Sequence, residues 1–357
     1  MSEPRVTVLM TVYNGAAYVR SAVDSVLAQT YADFELLVID DASTDGSGDV
    51  VRAVCDARIR VVPNAANLGL TTSLNTGLAL ARGELVARHD ADDLSRPERL
   101  ATQVALLDTR PEVSLVGSWY QKIDPAGKSL GERALPVDHA RLSWALLFYC
   151  PFVHSAVVFR RRAVVEMGGY DERFVYAQDY DLWSRMARRA KVANIPATLV
   201  EYRQGPATMT STVGARTDEV LDIARRNIAD LGTAIPTPAD HRTMSALMVG
   251  DAARLEPNDI GPTLDRVLAL FDRFCASAVL TADEIRAIRD ELALATVRVT
   301  IAHAGRLTNT GYRAIRARLR EAVPESAALL PASRRLTVAG RVARDLIRAP
   351  WTRSSRS

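Results

Sequence analysis

The chain has 357 residues, 48% of them hydrophobic and 24% charged, with a net charge of +3. That length supplies a large core and suggests two domains, and so small a net charge makes no demand for nucleic acid as a partner. Cys55, Cys150 and Cys275 are scattered without metal-ligand spacing, which argues against a disulfide framework and for a reducing compartment, here the cytoplasm.

The opening MSEPRVTVLM has no basic stretch followed by a long apolar run, so no secretory signal is expected. Residues 6–10 are a short β-branched run ending in Thr11-Val12-Tyr13-Asn14-Gly15, and 16–28 carry apolar residues at helical spacing. Residues 34–39 are almost continuously apolar, as in a strand buried on both faces, and end in Asp40-Asp41-Ala42-Ser43-Thr44-Asp45-Gly46 before a helix to Cys55. A third strand is expected at 58–62, a polar turn at 64–69, and a helix at 71–81 closed by Arg82-Gly83. The fourth strand, 85–88, runs into His89-Asp90-Ala91-Asp92-Asp93, and Pro97 opens a helix through Arg110.

Strand starts near 6, 34, 58 and 85 leave room for a helix each time, so the strands should be parallel. All strand-to-helix turns then fall on the carboxyl edge, where open α/β sheets bind ligands. Thr11, Tyr13, Asp40, Asp41, Asn67, Gly69, Asp90 and Asp92 would share one rim.

Three carboxylates in one turn repel each other, and the remedies are raised pKa values, a basic partner or a divalent cation. Asp-x-Asp at a strand end suits Mg2+ or Mn2+, which keeps open positions for substrate phosphate. The plainer alternative is a solvated acidic turn before a helix. No GxGxxG follows the first strand and no GxxxxGK[ST] occurs, so dinucleotide binding and a P-loop are set aside. The residues after Asp90 lack the glycine and distant glutamate of an EF-hand.

Further on, a strand is expected at 113–120, a turn at 124–127, a helix at 138–149, a strand at 155–160 and a helix from Gln178-Asp179 through Arg189. Asp179 then sits in a helical first turn, where an acid also serves simply to satisfy the dipole. The apolar run 143–159 is too short for a membrane span and is broken by Pro151. His154, within it, reads as a core histidine. Beyond Tyr202 strand signals stop; a polar loop at 208–214 precedes helices at 218–231, 242–255, 262–278 and 282–299, the last with Thr281 and Glu284 at capping-box spacing. Residues 331–357 carry seven arginines against one acid, Asp345. Apolar residues recur there at helical spacing, which suits either contact with an anionic membrane surface or a solvated tail.

Four stretches carry a resemblance to a known family: VTVLMTVYNGAAYVRSAVDSVLAQTYADFELLVIDDASTDGS, NLGLTTSLNTGLALARGELVARHDADD, GGYDERF and QDYDLWSRM. In order and approximate spacing they resemble the family 2 glycosyltransferases, nucleotide-sugar enzymes of the GT-A fold, over residues 6–202. The resemblance implies an α/β fold with a mostly parallel sheet flanked by helices, a nucleotide half and an acceptor half. The catalytic domain would span 1–210, with an α-helical region at 211–330 and a basic tail at 331–357.

It further implies that Thr11, Tyr13, Asp41 and Asn67 line the nucleotide pocket, with Asp41 accepting from the base. Asp90 and Asp92 would be the DxD pair, Asp92 ligating Mn2+ or Mg2+ and Asp90 facing ribose or a metal-bound water. Asp179 would be the general base. The family often has Glu-Asp where this chain has Gln178-Asp179. The expected partners are a nucleoside-diphosphate sugar and a glycan, lipid-linked or other hydroxyl acceptor. One base without a second nucleophilic carboxylate implies direct displacement with inversion. The competing readings are a sugar nucleotidyltransferase, which would bring a glycine-rich basic loop where Thr11–Gly15 has none, and a non-catalytic nucleotide-sugar-binding scaffold.

Overall fold

The computed structural model describes residues 3–205, 213–234 and 236–323, without side chains for 213–217. The basic tail at 331–357 and the polar loop as far as residue 212 lie outside the described residues; by 213 the chain is already helical. The described residues form two compact units. One joins residues up to 142 with 150–220; the other joins 143–149 with those from 221 onward.

The first unit opens with β1 (Val6–Val12), α1 (Val19–Leu27), β2 (Phe34–Asp40), α2 (Ser47–Arg52), β3 (Ile59–Pro63), α3 (Leu70–Leu80) and β4 (Leu85–Asp90). This is the alternation expected from the apolar runs, and β3, β2, β1 and β4 pair in that order, all parallel. β1, β2 and the inner residues of β4 are buried on both faces, which is why they read as unbroken apolar runs. Helix α3 lies close on the sheet: a Cβ on Gly77 would come within 2.2 Å of Leu9 Cδ1, so only glycine allows that approach.

The remainder is mixed. β5 (Leu94–Ser95), α4 (Arg99–Thr109), β6 (Val113–Ile123), β7 (Ser129–Arg133), α5 (His139–Ala145), β8 (Val158–Arg160), α6 (Arg161–Glu166), α7 (Gln178–Ala187) and β9 (Lys191–Arg203) follow. They extend the sheet through β8, β6, β9 and β5, with β7 beside β6. The strand expected at 155–160 begins only at Val158, because His154–Ala156 forms a 3-10 turn that delivers the Ser155 hydroxyl to Asp93. β9 has no counterpart in the sequence reading. It contains Pro196, and its pairing with β6 shifts register between Ser118 and Trp119, so it lacks a clean strand pattern.

The second unit holds helices α8 (Val213–Ala229, from Leu221 on), α9 (Pro238–Met248), α10 (Ile260–Ser277), α11 (Ala282–Ala302) and α12 (Asn309–Ala322). Residues 143–149 bring Trp144 and Phe148 into its core, where Trp144 packs edge-on to Phe148 and Phe271 with centroids 4.9 and 5.5 Å apart. The capping box at Thr281 and Glu284 forms as expected. No helix among the described residues is long and apolar enough to cross a membrane.

Candidate active site

Parallel pairing aligns the strand ends. Val12 lies opposite Asp40, Thr11 opposite Asp90, and Asp40 opposite Pro63, so the turns after β1, β2, β3 and β4 share the carboxyl edge. The expected rim therefore exists.

Beneath it is a side chain the sequence reading passed over. Arg88 on β4 is fully buried; its Nη2 donates to Asp90 Oδ1 at 2.6 Å and to Thr11 Oγ1 at 3.3 Å. Asp90 thus has a basic partner, which holds it against the end of β1. Residues i and i+2 of a strand share a face, so the spacing allows Arg88 to pair with Asp90, although nothing in the sequence marks Arg88 as buried. Arg99, also buried, donates to the Arg88 carbonyl at 2.7 Å, to Ser95 Oγ at 3.0 Å and meets His89 Nδ1 at 3.2 Å. Burial and the charges of Arg99 and Arg88 hold His89 well below the usual histidine value, so its ring is neutral.

The other two acids of the turn take a different remedy. Burial, then the charge of Asp90, pushes the Asp92 carboxyl up to about 6. Asp93 is fully buried, and burial with the charges of Asp90 and Asp92 pushes it well above the carboxylate range. Asp93 accepts from the Ser155 hydroxyl and from the Arg203 backbone N–H at 2.7 Å. The Arg203 side chain in turn donates from Nε to the Asp92 carbonyl at 2.8 Å and lies over the Tyr18 ring, 4.6 Å from its centroid. The end of β9 therefore clamps the acidic turn.

Asp41 is buried and already occupied. Its Oδ1 accepts from Asn64 Nδ2 at 2.7 Å and Leu68 N–H at 2.9 Å, and its Oδ2 from Gly69 N–H at 2.9 Å. Gly69, with φ at 84°, makes the bend that presents this N–H and starts α3. Tyr13 and Asn67 are exposed on the rim. α3 then reaches the opposite wall: Thr71 Oγ1 donates to the Phe174 carbonyl at 2.8 Å, and Asn75 exchanges hydrogen bonds with the Tyr170 backbone at 2.9 and 3.0 Å.

Asp179 lies in the first turn of α7, half-buried, with Oδ1 accepting the Tyr180 N–H at 2.7 Å. The Tyr170 hydroxyl, on the segment before α7, is buried. Burial raises that hydroxyl; the charge of Arg88 opposes the rise, and those of Asp179 and Asp90 add to it. One buried hydroxyl thus feels both the acidic turn and Asp179. His154 meets it at 3.1 Å, packed edge-on to Trp183 and held well below its usual pKa by burial and by Arg88, as befits a core histidine.

No group of three or more His, Cys, Asp or Glu side chains among the described residues could by itself hold a metal ion. The acidic turn offers fewer, Asp90 and Asp92, and the raised Asp92 marks a place short of positive charge. Two carboxylates suit a Mg2+ or Mn2+ ion that takes its remaining ligands from substrate phosphate and water, so the donor set fits such an ion.

Comparison with known proteins agrees with this architecture. The profile described as glycosyl transferase family 2 matches residues 7–167. An uncharacterized glycosyltransferase of Haemophilus influenzae is 30% identical over 237 residues, covering 63% of this chain and 73% of that one. The amylovoran biosynthesis glycosyltransferase AmsE of Erwinia amylovora is 38% identical over 146 residues, covering 41% and 54%. Among solved structures, S. aureus TarS 1-349 in complex with UDP-GlcNAc superposes with a TM-score of 0.53 at 15% identity, over 89% of this chain and 92% of that one. The mannosyltransferase PcManGT from Pyrobaculum calidifontis, in complex with GDP-Man and Mn2+, superposes with a TM-score of 0.51 at 22% identity, over 92% and 87%. The class is an enzyme, a glycosyltransferase of the GT-A fold. This chain belongs to glycosyltransferase family 2.

Proposed function

We propose that the protein transfers a sugar from a nucleoside-diphosphate sugar to a hydroxyl acceptor with inversion at the anomeric carbon, in the synthesis of a cell-envelope polysaccharide, glycolipid or related glycan. The observation that carries this is α3, which starts at the Gly69 turn bonded to Asp41 and, through Thr71 and Asn75, holds the segment that leads into α7 and Asp179. A donor held at the acidic turn and a proton acceptor on α7 would then face the same space. Support for the donor class comes from UDP-GlcNAc in TarS and GDP-Man in PcManGT, and for the product class from the name of AmsE.

Thr11, Tyr13, Asp41 and Asn67 would receive base and ribose. Arg88 would keep Asp90 turned toward the donor, and Asp92 with Asp90 would hold Mg2+ or Mn2+. Bound there, the ion would neutralise charge building on the diphosphate. Asp179 would take the proton from the acceptor hydroxyl as its oxygen bonds to the anomeric carbon and the bond to the diphosphate breaks. A neutral His154 and His89 nearby add no charge to compete with that of the donor site.

A thermal-shift panel of UDP-, GDP-, dTDP- and CDP-sugars, with and without Mn2+, tests the donor site without a known acceptor, since a ligand that binds the native state raises its stability. The expected result is a Mn2+-dependent rise for one nucleotide class that Asp92→Ala abolishes and Asp179→Asn retains. No rise with any donor would sink the proposal; turnover by Asp179→Asn at the wild-type rate would remove the base. The proposed setting is the cytoplasm, with the basic segment 331–357 meeting an anionic membrane surface. Deleting that segment should abolish binding to anionic vesicles, and undiminished binding would rule the contact out.

A further inference from the structure

The N-cap of helix α7 is Ala177, whose side chain makes no capping bond. Asp179 accepts the Tyr180 N–H within the first turn, but the amides leading into the helix start still need acceptors. The acceptor comes from α8. Glu219 Oε1 takes the Val175 N–H at 2.9 Å, and Oε2 takes those of Tyr176 and Ala177, both at 2.8 Å. Three consecutive amides converge on one half-buried carboxylate, charge-assisted and at the positive end of the helix dipole. The segment leading there is held from its other side by Thr71 and Asn75 of α3, which reach Phe174 and Tyr170. Neither reaches 175–177; Glu219 does.

Asp179 follows Ala177 by two residues, so the place where 175–177 are pinned sets the direction of the first turn of α7. We infer that Glu219 is a positioning residue: its carboxylate fixes that turn so that Asp179 meets the acceptor hydroxyl at a productive distance. The inference rests on Asp179 being the base. Misplacing a reacting group by about 1 Å costs on the order of a hundredfold in rate. Thr11, Asp41, Asp90 and Asp92 stand on other elements, so the loss should fall on kcat and spare donor binding.

The test uses Glu219→Gln, which keeps the shape but leaves one acceptor oxygen, and Glu219→Ala, which leaves none. Nucleoside diphosphate release is measured from UDP-GlcNAc and GDP-mannose with Mn2+, alongside hydrogen exchange at the amides of 175–177. Expected are kcat values lower by about tenfold for Gln and about a hundredfold for Ala, a donor KM within about twofold of wild type, and faster exchange at those amides. Should the alanine variant fail to fold, the isosteric glutamine variant decides. Wild-type kcat in the folded variants, or kcat lost only in step with donor affinity, overturns the inference. Asp179→Asn run beside them separates the two ideas: an inactive Asp179→Asn with fully active Glu219 variants refutes Glu219 alone, whereas an active Asp179→Asn refutes the base.

Discussion

Asp41, the proposed acceptor for the nucleotide base, is already constrained by the loop after β3. An ionised carboxylate accepts at about four sites, and Asn64, Leu68 and Gly69 already fill three. Room remains for one further donor, on Oδ2. A uracil or thymine imide offers one N–H, while guanine presents adjacent donors on N1 and the exocyclic amine and would have to displace a bond from the loop. UDP- or dTDP-sugars should therefore raise the melting temperature more than GDP-sugars do, and Asn64→Ala, by freeing a site on Oδ1, should narrow the gap. A larger rise for a GDP-sugar on the wild type would contradict this. Of the residues in this site, the acids were legible in the sequence because a strand-end turn rich in aspartate is unusual. Arg88 was harder to see because a buried arginine inside a strand looks like any surface charge. Glu219 could not be read at all: beside Asp218 it resembles an ordinary exposed helix acid, and its partners are backbone amides more than forty residues away.

At the level of elements, legibility tracks how local the cause is. β1 to β4 and the helices between them follow from apolar runs and polar turns that each stretch carries by itself, and the structure reproduces them within a few residues. β5, β7 and β9 owe their existence to neighbours. The two residues of β5 pair with Glu201 and Val200, and β9 is held by β6 across a shifted register. Such strands are made by the sheet they join, and their own residues carry little periodicity. α7 belongs with them in one respect: its apolar spacing announces the helix, but its cap comes from α8.

Over the whole molecule, buried histidines and buried acids pull stability in opposite directions with pH. Burial holds His89, His154 and His241 below the ordinary histidine value. The unfolded chain therefore takes up their protons first, near pH ~6.5, so the stability they permit is present above that pH and is lost as pH falls below it. Asp92, pushed up to about 6, and Asp93 have the opposite sign: folding gains stability as pH falls through their raised values toward the unfolded carboxylate value near ~4. His241, which approaches the Leu147 carbonyl at 3.3 Å in the helical unit, lies apart from those acids in sequence and unit. Replacing it by Gln removes one proton-binding group, so the urea midpoint should fall less between pH 7.5 and 5.5 than in wild type. An unchanged fall would show that His241 does not contribute to the linkage.

The two units are not successive along the chain, and this has a consequence during synthesis. Trp144 belongs to the helical unit, yet its ring partners Phe271 and Phe274 lie on α10, some 120 residues further on. At roughly 5–20 residues per second on the ribosome, that segment waits about 6–25 seconds for its partners to be made. Until then Trp144 of the growing chain lacks the two α10 rings it packs against within the finished helical unit.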